Sequence, residues 1–393
     1  MTNTAPLDGI RVLDFTMIMA GPYCTRLMAD LGAEVLKIEA PEGDHIRNRP
    51  PLRDGHSTYF AQLNCGKKSL CIDLRREGAR EVIFDLARTC DVLVENFRPG
   101  VMKRLGLSYE AIREVNPKLV YCSISGFGQT GPLAERSAYA PIVHAFSGFD
   151  LANLSYQDGL KRPLNNGLFI ADVLGGALAF GAIQAALVGR NRTGNGDWID
   201  VSLLDAMLGL QVYESQEAQF GSARRRPLYQ PLISSDGFVI VAPITQPNFE
   251  ALANAIGRSD LLRDERYATV SAREQNWVAL MSQLEIWTRD RTSLACEDLL
   301  NAAGVPCARY LTTGDAMRSP HIVERESFAT VSDVAGSFLV SNTPFKFKHA
   351  DVRARSKIAD LGADARGILN DDLGYSSETI DSLFNGGTLR EAK

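Results

Sequence analysis

The chain has 393 residues, of which 45% are hydrophobic and 23% are charged, and its formal net charge is −5 at pH 7. A globular chain of this length is too long for one compact core, so the composition predicts two domains. The 42 Lys and Arg residues against 47 Asp and Glu residues, with no long run of one sign, argue against a nucleic-acid-binding surface. An anionic ligand would therefore require basic residues gathered at its own site.

The cysteines and the first residues favour a cytoplasmic protein. Seven cysteines form no CxxC pair and leave one over, which is typical of reduced thiols inside a cell. The N-terminal residues have no basic stretch leading into an apolar segment, so no secretory signal is predicted. The five histidines show no HExxH or comparable spacing, and no metal site is predicted.

The first half of the chain alternates apolar strands with helices. Strands are predicted at residues 10–15, 33–40, 91–97 and 118–125, and helices at 23–32, 77–90 and 108–115. Such βαβ units indicate an α/β fold with a doubly wound, Rossmann-like parallel sheet. Ligands of this fold bind beyond the carboxyl ends of the strands.

Residues 126–131, GFGQTG, match the dinucleotide-binding pattern GxGxxG and follow a predicted strand. That pattern must also open a helix, but Pro132 and polar residues follow here, so a turn-forming loop is favoured over NAD binding. The phosphate-binding pattern GxxxxGK[ST] does not occur in the sequence. Ser123, Ser125 and Ser147 lack the GxSxG setting of a hydrolase nucleophile.

A long apolar stretch, residues 168–190, contains a single acid, Asp172, near its start. Only Gln184 is polar between Val173 and Val188, which predicts a helix buried all round, and its three glycines argue against a membrane span. Asp172 then has two interpretations. It could cap the helix, which its residue type alone favours, or it could be a nucleophile held in apolar surroundings.

The second half continues with a Gly/Asn turn, a strand and a helix up to about residue 211. Residues 221–231 are basic and contain prolines, as in a linker or a ligand-facing loop. Strands at 237–244 and 304–312, with helices between them, predict a smaller inserted α/β domain. We therefore expect a large α/β domain at 1–220, a small domain at 221–330, and a segment at 331–393 that returns to the large domain. This last segment should contain short strands from about residue 331, among them residues 342–347, and a final helix pair.

Eight sequence blocks occur in order over nearly the whole chain: LDGIRVLDFTMIMAGPYCTRLMADLGAEVLKIEAP, YFAQLNCGKKSLCIDL, DVLVENFRPGVMKRLG, GFGQTGP, ADVLGG, GNGDWIDVSLLDA, GVPCARYLT and LNDDLGYSSETI. With these blocks the chain resembles the family III CoA transferases, which include formyl-CoA and carnitine CoA transferases and related CoA-ester racemases. The resemblance implies an interlocked homodimer without a permanently bound cofactor, whose substrates are a coenzyme A thioester and a carboxylate.

The resemblance also implies roles for individual residues. Asp172 would be the nucleophile, and Met19 and Tyr139 would lie near the acyl group. The predicted CoA contacts are Ile72, Arg75, Asn96, Phe97, Arg98 and Arg104. Succinyl-CoA and a short dicarboxylic acid are the favoured substrates, and Arg47, Arg49 or the Arg224–Arg226 cluster could bind the second carboxylate.

Three positions depart from the family pattern. Met19 replaces a glutamine of the formyl-CoA transferases, whose Gly-rich flap is also not found, so formyl-CoA and oxalate are disfavoured. Ala40 replaces a basic residue of many relatives, which leaves the adenine end of the CoA site open. Ala138 stands where the racemases have a histidine, so a transferase is favoured over a CoA-ester racemase or epimerase using the same aspartate. A non-catalytic CoA-binding protein is the least favoured class.

Overall fold

The computed structural model of the protein describes residues 5–221 and 228–391. Internal contacts divide the chain into two compact units, Met1–Ser215 with Val323–Lys393 and Gln216–Ile322. The second unit begins and ends a few residues before the predicted boundaries at 220 and 330. The predicted roles of these segments stay predictions. The Arg224–Arg226 cluster lies outside the described residues.

The strands and helices follow the predicted alternation, with ends that differ by a few residues. The strands are β1 Arg11–Asp14, β2 Glu34–Glu39, β3 Leu52–Arg53, β4 His56–Ser57, β5 Lys68–Ile72, β6 Val92–Glu95, β7 Val120–Ser125, β8 Trp198–Ser202, β9 Leu232–Ile233, β10 Phe238–Val241, β11 Cys307–Arg309, β12 Phe328–Asp333, β13 Gly336–Ser341 and β14 Leu389–Arg390.

The helices are α1 Ala20–Asp30, α2 Thr58–Asn64, α3 Ala79–Thr89, α4 Val101–Arg104, α5 Tyr109–Val115, α6 Ala140–Phe146, α7 Phe149–Ser155, α8 Ile170–Thr193, α9 Leu203–Leu210, α10 Val212–Phe220, α11 Gln246–Ala255, α12 Val270–Gln275, α13 Trp277–Arg289, α14 Ser293–Ala302, α15 Thr313–Arg318, α16 Pro320–Glu324, α17 Ala365–Gly367 and α18 Ser377–Asn385. Short 3-10 or π-helical turns lie at His45–Asn48, Ser259–Leu262 and Ile368–Asp372.

The main sheet of the first unit is mostly parallel, which confirms the predicted α/β class. Within the described residues its seven strands have the order β14-β5-β2-β1-β6-β7-β8, and only the β14–β5 pair is antiparallel. The chain runs from β1 outward through β2 to β5 and then returns to the other side of β1 with β6, β7 and β8. The direction of winding therefore reverses between β1 and β6.

Alternate residues of the strands pack against helices on the two faces of this sheet. Val12 of β1 and Val94 of β6 lie in a core formed with α1, α6, α8 and α9. Leu13 and Leu93, their neighbours in the chain, lie in a second core formed with α3, α5 and α18. The sheet is thus covered by helices on both sides.

Helix α8 corrects one prediction. The apolar stretch does form a helix, but it is not buried all round within this chain. It buries one face, which includes Gly176 and Ile183, whereas Leu178 and Val188 are 50% and 62% exposed. The helix is long and apolar enough to cross a membrane by length and composition, a test that core helices of soluble proteins also pass. Its packing on α1 and α9 makes it part of the first unit.

The short strands predicted from about residue 331 are present, but the segment 342–347 named for them is not a strand. The strands of this region are β12 and β13, which form an antiparallel hairpin just before it. Pro344 has no N–H to donate to a strand ladder, which disfavours a strand at this position. In the second unit, β9, β10 and β11 form an antiparallel sheet that shares a core with α11, α13 and α14.

Candidate active site

A cavity of about 410 Å³ lies where the winding of the sheet reverses, the position at which parallel α/β sheets bind ligands. It is enclosed by the loop after β1, the loop after β6, the end of β7 and the first turn of α8. The lining residues are Met17, Ile18, Met19, Ala20, Asn96, Phe97, Arg98, Val101, Ile124, Ser125, Gly126, Ala138, Tyr139, Asp172 and Leu203. Six residues predicted from the sequence are among them: Met19, Asn96, Phe97, Arg98, Tyr139 and Asp172.

Asp172 is the third residue of α8, not its N-cap, since Phe169 occupies the cap position without a side-chain hydrogen bond. Within residues 5–221 and 228–391, no group donates a hydrogen bond to its half-buried carboxylate, and burial raises the pKa of Asp172 to about 6. The positive end of the helix favours the ionised form, but desolvation outweighs it. The result is a carboxylate that is ionised at neutral pH and has few competing partners.

The backbone beside Asp172 is held by a buried histidine. His144 of α6 is 1% exposed, and its Nε2 accepts a hydrogen bond from the backbone N–H of Ala171 at 3.1 Å. Burial lowers the pKa of His144, which keeps that nitrogen free to accept. The imidazole therefore satisfies one of the free N–H groups at the start of α8.

Gly176, one turn after Asp172, brings α8 against the start of α1. A Cβ at this position would lie 2.4 Å from the carbonyl oxygen of Ala20 and 3.2 Å from the ring of Tyr23. A backbone oxygen cannot move out of the way as a flexible side chain can. Only glycine therefore allows the N-terminal ends of both helices to reach the same cavity.

The loop after β6 is fixed from two directions. The side chain of Asn96 accepts from the N–H of Met17 at 2.9 Å and donates to the carbonyl of Met17 at 2.8 Å. Glu95 accepts from the N–H of Phe97 at 2.8 Å, and burial raises the pKa of this carboxyl to about 7. Arg98, the next residue, is exposed and lines the cavity.

A second cavity of about 260 Å³ adjoins the first, because Met17 and Phe97 line both. Its walls come from the ends of β1, β2 and β5, and they include the predicted residues Ile72 and Arg75. Arg75 is exposed and pairs with Asp73 at 2.7 Å. We call this cavity the groove. Arg104, at the end of α4, lines neither the groove nor the Asp172 cavity.

Several residues at the site were missed by the sequence analysis. Met17 and Ile18 line the cavity beside Met19. Burial, and then the charge of Asp172, raise the pKa of Tyr59 to about 12. Ser125 also lines the cavity, and its buried hydroxyl has no hydrogen-bond partner in the described parts of the chain. From the sequence, Ser125 was considered only as a hydrolase nucleophile. Its position at the carboxyl end of a predicted strand, where ligands of this fold bind, was the signal that could have placed it at the site.

The arginines predicted for a second carboxylate differ in availability. Arg47 is already bound within the protein and is not available to a substrate. Its guanidinium donates to Glu39 at 2.6 and 2.7 Å and lies 4.0 Å from the ring centre of Phe60. Arg49 is exposed and pairs with no carboxylate of the described residues. Its carbonyl accepts from Ser57 at 2.6 Å, at the start of the helix that carries Tyr59.

A cavity of about 680 Å³ also lies in the C-terminal segment, between residues 326 and 356. No residue predicted for the site lines it. The predicted nucleophile, acyl contacts and CoA contacts line the Asp172 cavity or the groove instead, with the exception of Arg104.

The fold and this site together define an α/β protein with a half-buried carboxylate at the point where the winding of its parallel sheet reverses. The profile described as CoA-transferase family III matches residues 7–365. Acetyl-CoA:oxalate CoA-transferase of Acetobacter aceti is 35% identical over 356 residues, which are 88% of this chain and 90% of that protein. Succinyl-CoA:glutarate CoA-transferase of Mus musculus is 30% identical over 398 residues, 98% of this chain and 91% of that protein.

A solved structure agrees with these sequence relatives. The crystal structure of a CAIB/BAIF family protein from Brucella suis has a TM-score of 0.82 and 34% identity, and it covers 94% of this chain and 99% of that chain. The chain therefore belongs to CoA-transferase family III and is an enzyme of that family. This confirms the family predicted from the sequence blocks, with CoA thioesters as substrates.

Proposed function

We propose that this protein transfers coenzyme A between carboxylic acids through covalent intermediates on Asp172. The observation that carries the proposal is the environment of this carboxylate: half-buried, without a hydrogen-bond partner among the described residues, and facing a cavity that continues into the groove. A desolvated carboxylate is a better nucleophile than one surrounded by water.

The reaction balances without an added base. The Asp172 carboxylate attacks the thioester carbon of the donor, and the C–S bond of the tetrahedral adduct breaks. CoA leaves as a thiolate, and a mixed anhydride between Asp172 and the donor acid remains. The thiolate attacks the aspartyl carbonyl carbon, which releases the donor acid and leaves an aspartyl-CoA thioester. The acceptor carboxylate then attacks this thioester, and the expelled thiolate attacks the acceptor's carbonyl carbon. The new acyl-CoA departs and the Asp172 carboxylate is restored.

In our proposal, the two adjoining cavities bind different parts of an acyl-CoA. The acyl group would occupy the cavity with Asp172, Met19 and Tyr139, and the CoA chain would run past Asn96 and Phe97 into the groove beside Ile72. Arg75 and Arg98 are exposed at this path, where they could meet phosphate groups. Arg104 lies outside both cavities and, in our proposal, contacts at most the outer end of CoA.

For the acids, we favour succinyl-CoA as the donor and a short dicarboxylic acid as the acceptor. The Mus musculus relative is named for succinyl-CoA and the dicarboxylic acid glutarate, and the Acetobacter aceti relative is named for acetyl-CoA and the dicarboxylic acid oxalate. Arg49 supports this choice. It is exposed, it pairs with no carboxylate of the described residues, and it lies next to the start of α2, the helix that carries Tyr59. A guanidinium can bind a second carboxylate with two parallel hydrogen bonds.

The racemase alternative requires a second acid–base group opposite Asp172. The position predicted for it is Ala138, which lines the cavity. His144 is close in sequence, but its Nε2 accepts the N–H of Ala171, so that nitrogen carries no proton to donate. These contacts favour the transferase.

A homodimer and a cytoplasmic location are further parts of the proposal. The exposed apolar face of α8, with Leu178 and Val188, is suited to burial against a second subunit. The seven cysteines are free, and six are buried, as expected in a reducing compartment. Light scattering of the purified protein would test the dimer.

The test of the covalent route is mass spectrometry after mixing the enzyme with succinyl-CoA and then hydroxylamine. Hydroxylamine converts an aspartyl anhydride or thioester to a stable hydroxamate. We expect the modification on Asp172 of the native chain and its loss in Asp172→Asn. An unmodified native enzyme that exchanges the α-proton of a branched acyl-CoA would support the racemase instead.

A further inference from the structure

The loop between β1 and α1, residues 15–19, has an unusual backbone. Ile18 has φ of 70°, in the left-handed region that β-branched residues rarely adopt. Ile18 and its neighbours Met17 and Met19 line the Asp172 cavity. A strained residue of this kind persists only where the surroundings hold it, and such residues cluster at active sites.

A buried ion pair holds this residue. The carboxylate of Asp44 accepts from the N–H of Ile18 at 3.2 and 3.3 Å and from Lys37 at 3.0 Å. Lys37 also donates to the carbonyl of Thr16 at 2.7 Å, on the other side of the strained residue. Asp44 and Lys37 are 3% and 1% exposed, so water does not compete for these bonds.

The pair is itself embedded in a charged network. The N–H of Asp44 donates to Glu39 at 3.0 Å, and Asp44 also accepts from the N–H of Ile46 at 3.2 Å. Asn96 binds both backbone groups of Met17 from the opposite side. The loop is therefore fixed at Thr16, Met17 and Ile18 in turn, just before Met19 and the first turn of α1.

We propose that Asp44 and Lys37 are positioning residues for catalysis, which hold Ile18 in its left-handed conformation and so give the Asp172 cavity the shape that acyl transfer requires. This inference rests on the proposed role of Asp172. Neither residue touches the substrate in this proposal. Asp44 acts through the N–H of Ile18, and Lys37 acts through Asp44 and the carbonyl of Thr16.

The proposal predicts a specific rescue. Asp44→Ala removes the acceptor for Ile18 N–H, and we expect the rate of hydroxamate formation at saturating succinyl-CoA to fall by at least about tenfold, since the strained conformation is no longer held. Glycine adopts positive φ without strain. In the Asp44→Ala background, Ile18→Gly should therefore restore most of the rate, to nearly the rate of Ile18→Gly alone, which is measured as the reference.

The matched control is the buried Arg26–Asp30 pair, joined at 2.7 Å at the other end of α1. Asp30→Ala also leaves a buried guanidinium without its carboxylate, but it should not slow adduct formation at temperatures where the protein stays folded. If Asp44→Ala does not fold, the same comparison is made with Asp44→Asn, which keeps one acceptor for Ile18 N–H and should give a smaller loss, again restored by Ile18→Gly.

The outcomes separate this inference from the proposed function. Native enzyme without a hydroxylamine-sensitive adduct would contradict the role of Asp172. A native adduct that Asp44→Ala forms at an equal rate would overturn the positioning role alone. So would an Asp30→Ala variant as slow as Asp44→Ala, or a slow Asp44→Ala variant that Ile18→Gly does not restore.

Discussion

Replacing Asp172 by Asn should abolish CoA transfer and remove a pH-dependent penalty on the stability of the folded protein. Burial raises the pKa of this carboxyl from 3.8 to about 6. The unfolded chain has no such burial, so the folded state favours the protonated acid more than the unfolded state does. Each tenfold change in acidity corresponds to about 1.4 kcal/mol, so ionised Asp172 costs about 3 kcal/mol of unfolding free energy above about pH 7.

The pH dependence is the diagnostic quantity. Since the pKa is raised on folding, the penalty is nearly absent below about pH 3, about half developed near pH 5, and complete above about pH 7. The Asn amide also lacks a partner at this site, which offsets the gain by about 1–3 kcal/mol at every pH. The stability of Asp172→Asn relative to native protein should therefore rise by about 3 kcal/mol between acid and neutral pH.

Urea unfolding of the two proteins across this pH range measures the difference, with residual transferase activity assayed in parallel. Activity should fall by at least about a thousandfold, as for other covalent nucleophiles. A stability difference that does not change with pH would refute the desolvation of Asp172. Retained activity in Asp172→Asn would refute its role as the nucleophile.

Three further predictions follow from the site. Arg49→Met should raise KM for a dicarboxylate acceptor by about tenfold or more and leave a monocarboxylate unchanged, whereas equal effects on both acids in steady-state assays would exclude a contact with the second carboxylate. Gly176→Ala should destabilise the protein by about 1–3 kcal/mol in urea unfolding, through the clash with the carbonyl oxygen of Ala20. His144→Leu should cost about 1–3 kcal/mol by leaving the Ala171 N–H unpaired, and His144→Gln, which can accept that bond, should cost less if the contact is what matters.

The sheet and much of the site could be predicted because their signals are local. Apolar strands alternate with helices through residue 125, and the carboxyl ends of β1 and β6 then define where a ligand binds. Asn96 and Phe97 directly follow β6, so their place in the cavity follows from the chain order. Asp172 needed the family blocks, because its residue type alone favours a helix cap.

Other features depend on contacts that no local pattern encodes. The burial of α8 depends on which other elements pack against it. A helix with apolar residues on every side can be fully buried in its own chain or can leave one apolar face exposed, as α8 does. Arg47 and Arg49 are two residues apart and identical in type, yet the first is bound by Glu39 and the second pairs with no described carboxylate. The positive φ of Ile18 had no signal at all, since glycine or asparagine is the residue expected there.

Two carboxylates, Asp44 and Asp172, lie in opposite electrostatic environments. Asp44 is buried and accepts hydrogen bonds from Lys37 and two backbone N–H groups, so its carboxylate serves to fix the loop. Asp172 receives no such compensation, and its raised pKa reflects the cost. A compensated carboxylate would be a poor nucleophile, because attack would have to break its hydrogen bonds first. The burial of Asp172 thus lowers the stability of the folded protein but keeps this carboxylate reactive. The Lys37–Asp44 pair holds the loop that lines the cavity around it.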